Sequence, residues 1–377
     1  MTPLLAIPQN EAHVETLGWL VPELLSRGIS VRALDLDSVF HQGIDLASVP
    51  GIETSVIEHH SEEAFYRLHP IRQIRTIREL GPAVRSHAAG ADIVLVFNDG
   101  ALQRVALREA RRRGRQAAVL LDGMISNYRE TVSLPRRALR HAGRMLAYSN
   151  IGSMFPSEIG MSPADRMFVI GTHSAEVLRR RGASAREIIA TGLPRFPEEG
   201  AAGRRTPARL LYLTGAFGWH GSPHLHAAQI EDVRLLGALA SEVGYRLTVR
   251  VHPRDDSRAY QPSSHAVVSA ARPLRDEIND TDIVLSLAST GLLEAIAIGR
   301  VALTLSVNAP WRVFSESFAA DPIFGPVRTL PDLRSELARL TGNEYLRHLL
   351  KQRSIYRRYA LPGGATASRA IASSLAA

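Results

Sequence analysis

Two segments in the second half of the chain end on residues suited to gripping an anion. "YRLTVRVHPRDD" (245–256) places Leu247, Val249 and Val251 on one face of a strand and then runs into His252 and Pro253. Proline cannot donate to a sheet ladder, so the strand stops there with an imidazole at its carboxyl end. "DIVLSLAS" (282–289) ends on Ser289-Thr290-Gly291 and passes straight into the helix "TGLLEAIAIG" (290–299). Small hydroxyl side chains cap such a helix, and its unpaired N–H groups with the positive end of its dipole attract an anion. Gly291 leaves room for a phosphate. Glu294, one turn beyond Thr290, can reach back to accept hydrogen bonds from ribose hydroxyls. Arg250 and Arg254 rim the site, Arg254 as a second phosphate contact. Imidazole, phosphate cradle and ribose acceptor together describe a nucleotide site.

A third loop, "TGAFGWHGSPHLH" (214–226), brings Gly215, Gly218 and Gly221 near a phosphate, with Trp219 to cover a base or sugar. Its histidines, His220, His224 and His226, lack a carboxylate partner at a ligand spacing, so no metal site is expected. In the first half, "VLLDGMISN" (119–127) ends a strand on Asp122-Gly123. There Asp122 can accept a proton from a hydroxyl and Gly123 makes room for the incoming group. Asp99, in the Asn98-Asp99-Gly100 end of the neighbouring strand, competes for the same role. Each piece also has a plain structural use: His252 as a satisfied histidine, Ser289-Thr290 as an ordinary helix cap, Asp122-Gly123 as a turn. His69-Pro70, opening a helix, and the Asp-x-Asp of "LDLD" (34–37), read as strand-end polarity, belong with those uses.

The 377 residues, 45% hydrophobic and 22% charged, have the balance of a globular protein of two domains. No cysteine is present, which excludes disulfides, thiolate metal sites and a cysteine nucleophile. No apolar run reaches the length of a membrane span, and the first residues lack a basic segment followed by a long apolar one, so a cytoplasmic location is expected. Lys351 is the only lysine among 45 basic residues, and the net charge is +8. That charge favours phosphates and anionic surfaces. The basic run 134–148, with Arg136, Arg137, Arg140 and Arg144, reads as a solvated helix face or as a peripheral contact with an anionic inner membrane.

Strands alternate with helices in both halves: 3–8, 30–37, 91–99 and 116–123 in the first, with helices over 14–28 and 101–115; 209–215, 245–253, 282–289 and 301–306 in the second, with helices over 229–244 and 290–299. This alternation predicts an α/β protein with two Rossmann-like, doubly wound parallel domains facing a cleft. The expected boundaries are a first domain over 1–195 that binds the acceptor, a linker over 196–207, and a second domain over 208–345 that binds the nucleotide. A C-terminal helical segment over 346–377 is free to cross back to the first domain. No G-x-G-x-x-G follows the first strand, which argues against an ordinary dinucleotide fold.

Taken in order, "ADRMFVIGTHSAEVLRRRGASAREIIATGLPRFPE" (164–198), "RVHPRD" (250–255), "LASTGLLEAIAIG" (287–299) and "GGATASRAIASSL" (363–375) resemble the GT-B glycosyltransferases of bacterial surface and capsule polysaccharides. The His-Pro and Ser-Thr pairs are similar to those of bacterial sialyltransferases and polysialyltransferases. The resemblance implies an inverting, metal-independent and cofactor-free transfer of a sugar from a nucleotide-activated donor to a hydroxyl of a glycan or glycolipid, with no nucleic-acid partner. In that scheme Asp122 is the base, His252-Pro253 meet the leaving phosphate and Ser289-Thr290 bind it. Leu121 stands where the family's acidic pair has its first acid. The resemblance of the His-Pro and Ser-Thr pairs implies a CMP-sugar such as CMP-sialic acid as donor, with a UDP-sugar next, while the departure at Leu121 counts against the CMP-sialic acid pattern. A hydrolysing UDP-N-acetylglucosamine 2-epimerase, a CDP-glycerol polymer transferase and a silent nucleotide-sugar-binding assembly protein are the competing readings.

Overall fold

Runs such as "IVLV" at 93–96 and 283–286's "IVLS" have no polar face, so each must be a strand covered on both sides. In the computed structural model they are the centres of two parallel sheets. The structure describes residues 1–60, 63–65, 68–124, 160, 162–183, 185–218, 222–260, 266–269, 272–309, 321, 324 and 327–377. The basic run 134–148 and Trp219, His220 and Gly221 lie outside the described residues.

Of these residues, positions 1–124, 160–196 and 360–377 form one unit and 197–359 a second. The first unit contains β1 (Thr2–Ile7), α1 (Glu11–Leu25), β2 (Ile29–Asp35), α2 (Asp37–Phe40), β3 (Ile52–Val56), α3 (Pro70–Ala89), β4 (Ile93–Val96), α4 (Ala101–Arg112), β5 (Gln116–Leu120), β6 (Arg166–Val169), α5 (Thr172–Arg180) and β7 (Glu187–Ala190). Its sheet has the order β3-β2-β1-β4-β5-β6-β7 with parallel pairing. The strand order reverses between β1 and β4, where ligands of open α/β sheets bind beyond the carboxyl ends. Local signals are satisfied on the way: Asn10 caps α1 through the His13 N–H, His69 caps α3, and the Asp35 and Asp37 carboxylates take nearby backbone N–H groups.

The second unit contains β8 (Arg209–Leu213), α6 (Pro223–Glu242), β9 (Arg246–Arg250), β10 (Ala266–Ser269), α7 (Leu274–Asn279), β11 (Ile283–Ser286), α8 (Gly291–Ile298), β12 (Val301–Thr304), α9 (Leu330–Arg339) and α10 (Gly342–Tyr359). Its order β10-β9-β8-β11-β12 repeats the pattern of the first sheet, with the reversal between β8 and β11. Helix α6 starts six residues earlier than the sequence pattern predicts, because Pro223 presets the first helical turn. That shift places His224 and His226 on the helix.

The last helix, α11 (Gly364–Ala376), belongs to the first unit, packed on α1, with Arg27 donating to Ser373 Oγ at 3.1 Å. Two glycines make its entry feasible. Gly192 has φ +80°, and a Cβ there would lie 2.5 Å from the Pro362 carbonyl oxygen. A Cβ on Gly363 would lie 2.1 Å from that of Phe196. The "TGLPRFP" and "LPGGA" segments thus touch backbone to backbone, which accounts physically for these two glycine-rich motifs. No helix among the described residues is long and apolar enough to cross a membrane.

Candidate functional site

In the second unit the ends of β9, β8 and β11 are adjacent, so the loops after them share one edge of the sheet. Ser286 Oγ donates to the Leu213 carbonyl at 2.8 Å and accepts the Ser289 N–H at 3.2 Å, which fixes the turn leading to α8. Ser289 Oγ accepts the Gly291 N–H at 3.1 Å, while the half-buried Thr290 makes no side-chain capping bond. Ser289 therefore caps the turn, and Thr290 stands at the N-terminus of α8. A Cβ on Gly291 would lie 2.5 Å from Leu213 Cδ1, so a side chain there would make Leu213 shift where α8 closes onto β8.

His252 is half-buried beside this turn. Its N–H donates to Thr214 Oγ1 at 2.8 Å, and its Nδ1 accepts the Arg254 N–H at 3.2 Å. An Nδ1 lone pair committed in this way leaves the neutral ring's proton on Nε2, making Nε2–H a donor. Pro253 is exposed and Arg254 half-buried at the same edge. Arg250 is engaged elsewhere: its guanidinium lies 3.0 Å from Glu277 Oε2 and donates to the Arg272 carbonyl. Gly215 turns both backbone groups toward Gln229, its N–H donating to Oε1 at 2.6 Å and its carbonyl accepting from Nε2 at 3.2 Å. Its N–H is thus spent on the protein's own side chain. Glu294 is buried in the first turn of α8, and with Glu199 it adds to the effect of burial in raising the Tyr356 phenol well above its ordinary range.

Sequence reasoning missed three buried partners here. Asp255 accepts the Tyr260 hydroxyl at 2.9 Å and lies 3.3 Å from His226 Nδ1. Gln229 Nε2 donates to the same hydroxyl at 2.5 Å. In the sequence Asp255 reads as one more charge in a polar burst, and nothing marks Gln229 within its helix.

In the first unit Asp122 follows β5, one strand outward from the reversal between β1 and β4, and is half-buried. Arg195 Nε donates to its Oδ1 at 2.8 Å, and His13 Nε2 lies 3.4 Å from its Oδ2. Burial pushes the carboxyl upward, but the Arg195 charge and the His13 contact outweigh it and hold the group well below the usual carboxylate range. His13 is itself oriented: its Nδ1 accepts the Gln9 N–H at 3.0 Å, and its ring stacks on Phe97 with centroids 5.0 Å apart. Gln9 in turn bonds Asn98. Gly123 has φ +126°, a conformation suited to glycine, and donates back to the Leu121 carbonyl. The rival Asp99 is buried, its Oδ2 accepting the Gly160 N–H at 3.0 Å and the Ser162 N–H and hydroxyl at 3.2 and 3.1 Å. It ties a loop, which leaves Asp122 as the carboxylate with an accessible edge.

Leu121 points into the apolar core of this sheet at 3% exposure. An acid at that position would be buried without a partner, so its absence is dictated by packing. Leu121→Glu, which would restore an acidic pair in the sequence, is expected to destabilise the protein by about 3 kcal/mol or more. In a melting curve that is a loss of roughly 6–12 °C, with no gain of activity.

No protein-family model matches the chain, and no curated protein matches it. Solved structures do match over essentially its full length. Arabidopsis thaliana UGT89C1 complexed with UDP has a TM-score of 0.60 at 13% identity, covering 100% of both chains. CalG4, the calicheamicin glycosyltransferase, has a TM-score of 0.56 at 14% identity, covering 100% of this chain and 98% of its own. The UDP-GlcNAc 2-epimerase from Neisseria meningitidis bound to UDP-GlcNAc has a TM-score of 0.62 at 13% identity, covering 100% of this chain and 99% of its own. With its two doubly wound units, the chain has the GT-B fold shared by such glycosyltransferases and 2-epimerases.

Proposed function

We propose that this protein is a GT-B glycosyltransferase that moves a sugar from a nucleotide-activated donor to a hydroxyl of a glycan or glycolipid. The observation that carries the reading is the edge of the second sheet at its reversal point. There the His252 Nε2–H after β9, and the Thr290 hydroxyl and N-terminus of α8 after β11, flank the end of β8 and suit a phosphate. The nucleotide lies on this edge, with Arg254 beside its phosphate and Glu294 at its ribose. The UDP and UDP-GlcNAc bound to the compared proteins favour a UDP-sugar over the CMP-sugar expected from the His-Pro and Ser-Thr motifs.

In the reaction the acceptor oxygen forms a bond to the anomeric carbon as the bond from that carbon to the phosphate oxygen breaks. The leaving phosphate gains negative charge, which the His252 Nε2–H and the α8 terminus stabilise. The acceptor proton passes to Asp122. Because Arg195 and His13 keep that carboxylate weakly basic, it takes the proton late, once the new bond has made the hydroxyl acidic. No metal is assigned a role in this scheme.

The likeness to the 2-epimerase favours a second reading, hydrolysis and epimerisation of UDP-N-acetylglucosamine without a separate acceptor. Incubation with CMP-, UDP-, GDP- and CDP-activated sugars, with and without a glycan acceptor, separates the two. Acceptor-dependent nucleotide release supports transfer, and acceptor-independent release of UDP with a changed sugar supports epimerisation. Release from none of the donors overturns both.

A further inference from the structure

We infer that Tyr260 is a positioning residue for the nucleotide site, its hydroxyl closing a buried ring of hydrogen bonds that sets the loop after β8 against the loop after β9. The inference rests on reading that edge as the nucleotide site.

The ring can be followed atom by atom. Thr214 Oγ1 accepts the His252 N–H at 2.8 Å, joining the two loops at their roots. Gln229 of α6 holds the next residue, Gly215, by both backbone groups, as a neighbouring strand would. The Nε2 of that same amide donates to the Tyr260 hydroxyl at 2.5 Å, and the hydroxyl donates to Asp255 Oδ2 at 2.9 Å. Asp255 lies three residues after His252, and its N–H bonds the His252 carbonyl at 2.8 Å. The circuit thus returns to its start. His226 adds a side contact to Asp255 at 3.3 Å, and a Cβ on Gly218 would lie 3.2 Å from Asp255 Oδ1, so the loop tip rests on the same carboxylate.

Gln229 is 1% and Tyr260 2% exposed, so the bond between them is made away from water and the rest of the ring is partly shielded. A polar network in such a place holds its members rigidly when complete and strongly disfavours leaving one unpaired. Burial and Asp255 raise the phenol well above its ordinary range, which keeps it a donor. The Tyr260 hydroxyl bonds both Gln229 on α6 and Asp255 on the β9 loop, beside the His226 contact to the same carboxylate. Without its hydroxyl, Thr214 still joins the two loops at their roots, but the Gln229 clamp on Gly215 loses its link to Asp255 and so to the outer part of the loop that carries His252.

Tyr260→Phe keeps the ring stacked edge-on against His226, with centroids 5.9 Å apart, and removes only the oxygen. Calorimetric titration with UDP, CDP, CMP and GDP, together with kcat, KM and Tm, tests the assignment. The expected result is that the nucleotide Kd and the donor KM each rise about tenfold, while Tm falls by only a few degrees. Gln229→Ala should have a similar effect, and the double variant should be little worse than either single one, because the ring breaks once. A lowered Tm with Kd and KM unchanged overturns the inference, since Tyr260 would then act on stability alone. If the phenylalanine variant does not fold, Asp255→Asn takes its place with the same two outcomes. A wild-type protein that binds none of the four nucleotides overturns the reading beneath the inference, and the inference with it.

Discussion

Asp122→Asn is expected to lower kcat by about 10²–10⁴-fold while leaving nucleotide affinity unchanged. The amide keeps the shape and can still accept one bond from Arg195, but it cannot take a proton. Nucleotide affinity should survive because every residue assigned to the nucleotide belongs to the second unit. The same variant removes the charge that faces the half-buried Arg195 guanidinium, so some loss of stability accompanies it. The pH dependence follows from the depressed pKa. The carboxylate's contribution to stability is present above its unfolded value near about 4 and is lost as pH falls below that toward the lower folded value. Wild-type activity should therefore show no acid limb from Asp122 between about pH 5 and 8, and the gap in stability between wild type and variant should narrow only below about pH 4. Full turnover by Asp122→Asn would mean that the base is another group.

His252→Ala is expected to cut kcat by about 10²–10³-fold, the usual effect of removing one preorganised donor to a developing charge. Two roles must be separated, since Nδ1 holds the Arg254 N–H while Nε2–H is assigned to the phosphate. His252→Asn separates them. An asparagine oxygen can accept a backbone N–H two residues on, in an Asx turn, so the loop keeps its shape while the outer donor is lost. Turnover as poor as that of the alanine variant places the effect on Nε2. Recovery to near wild type would make His252 a residue of loop shape only.

Much of the architecture was legible because parallel strands buried on both faces leave few alternatives: their apolar runs, and the polar residues that end them, are visible without a structure. The strand ends that carry Asp122, His252, Ser289 and Thr290 follow from that pattern, whereas the strand order does not. The partners were not legible. Arg195 stands at the last position of the expected first domain, in a glycine- and proline-rich stretch, and nothing local marks its bond to Asp122 or the close backbone docking at Gly192 and Gly363 beside it. His13 reads as a polar residue near the start of an amphipathic helix, yet the Gln9 N–H and the Phe97 ring aim it at the same carboxylate. The glycines also acquired different work. Gly215 and Gly291 suggest close approach of a phosphate, whereas one serves the Gln229 clamp and a Cβ on the other would meet Leu213. Arg250, which alternation and charge place at the rim, is drawn to Glu277. In each case spacing identifies the strand end, but tertiary contacts decide what the side chain does there.

The claim on which the rest depends is that the edge of the second sheet holds a nucleotide. Calorimetric titration of the wild-type protein and His252→Ala with UDP, CDP, CMP and GDP tests it most directly. Saturable binding of at least one nucleotide by the wild type, weakened about tenfold or more in the variant, is the predicted result. Binding of none of the four, or binding unaffected by the loss of His252, would contradict it.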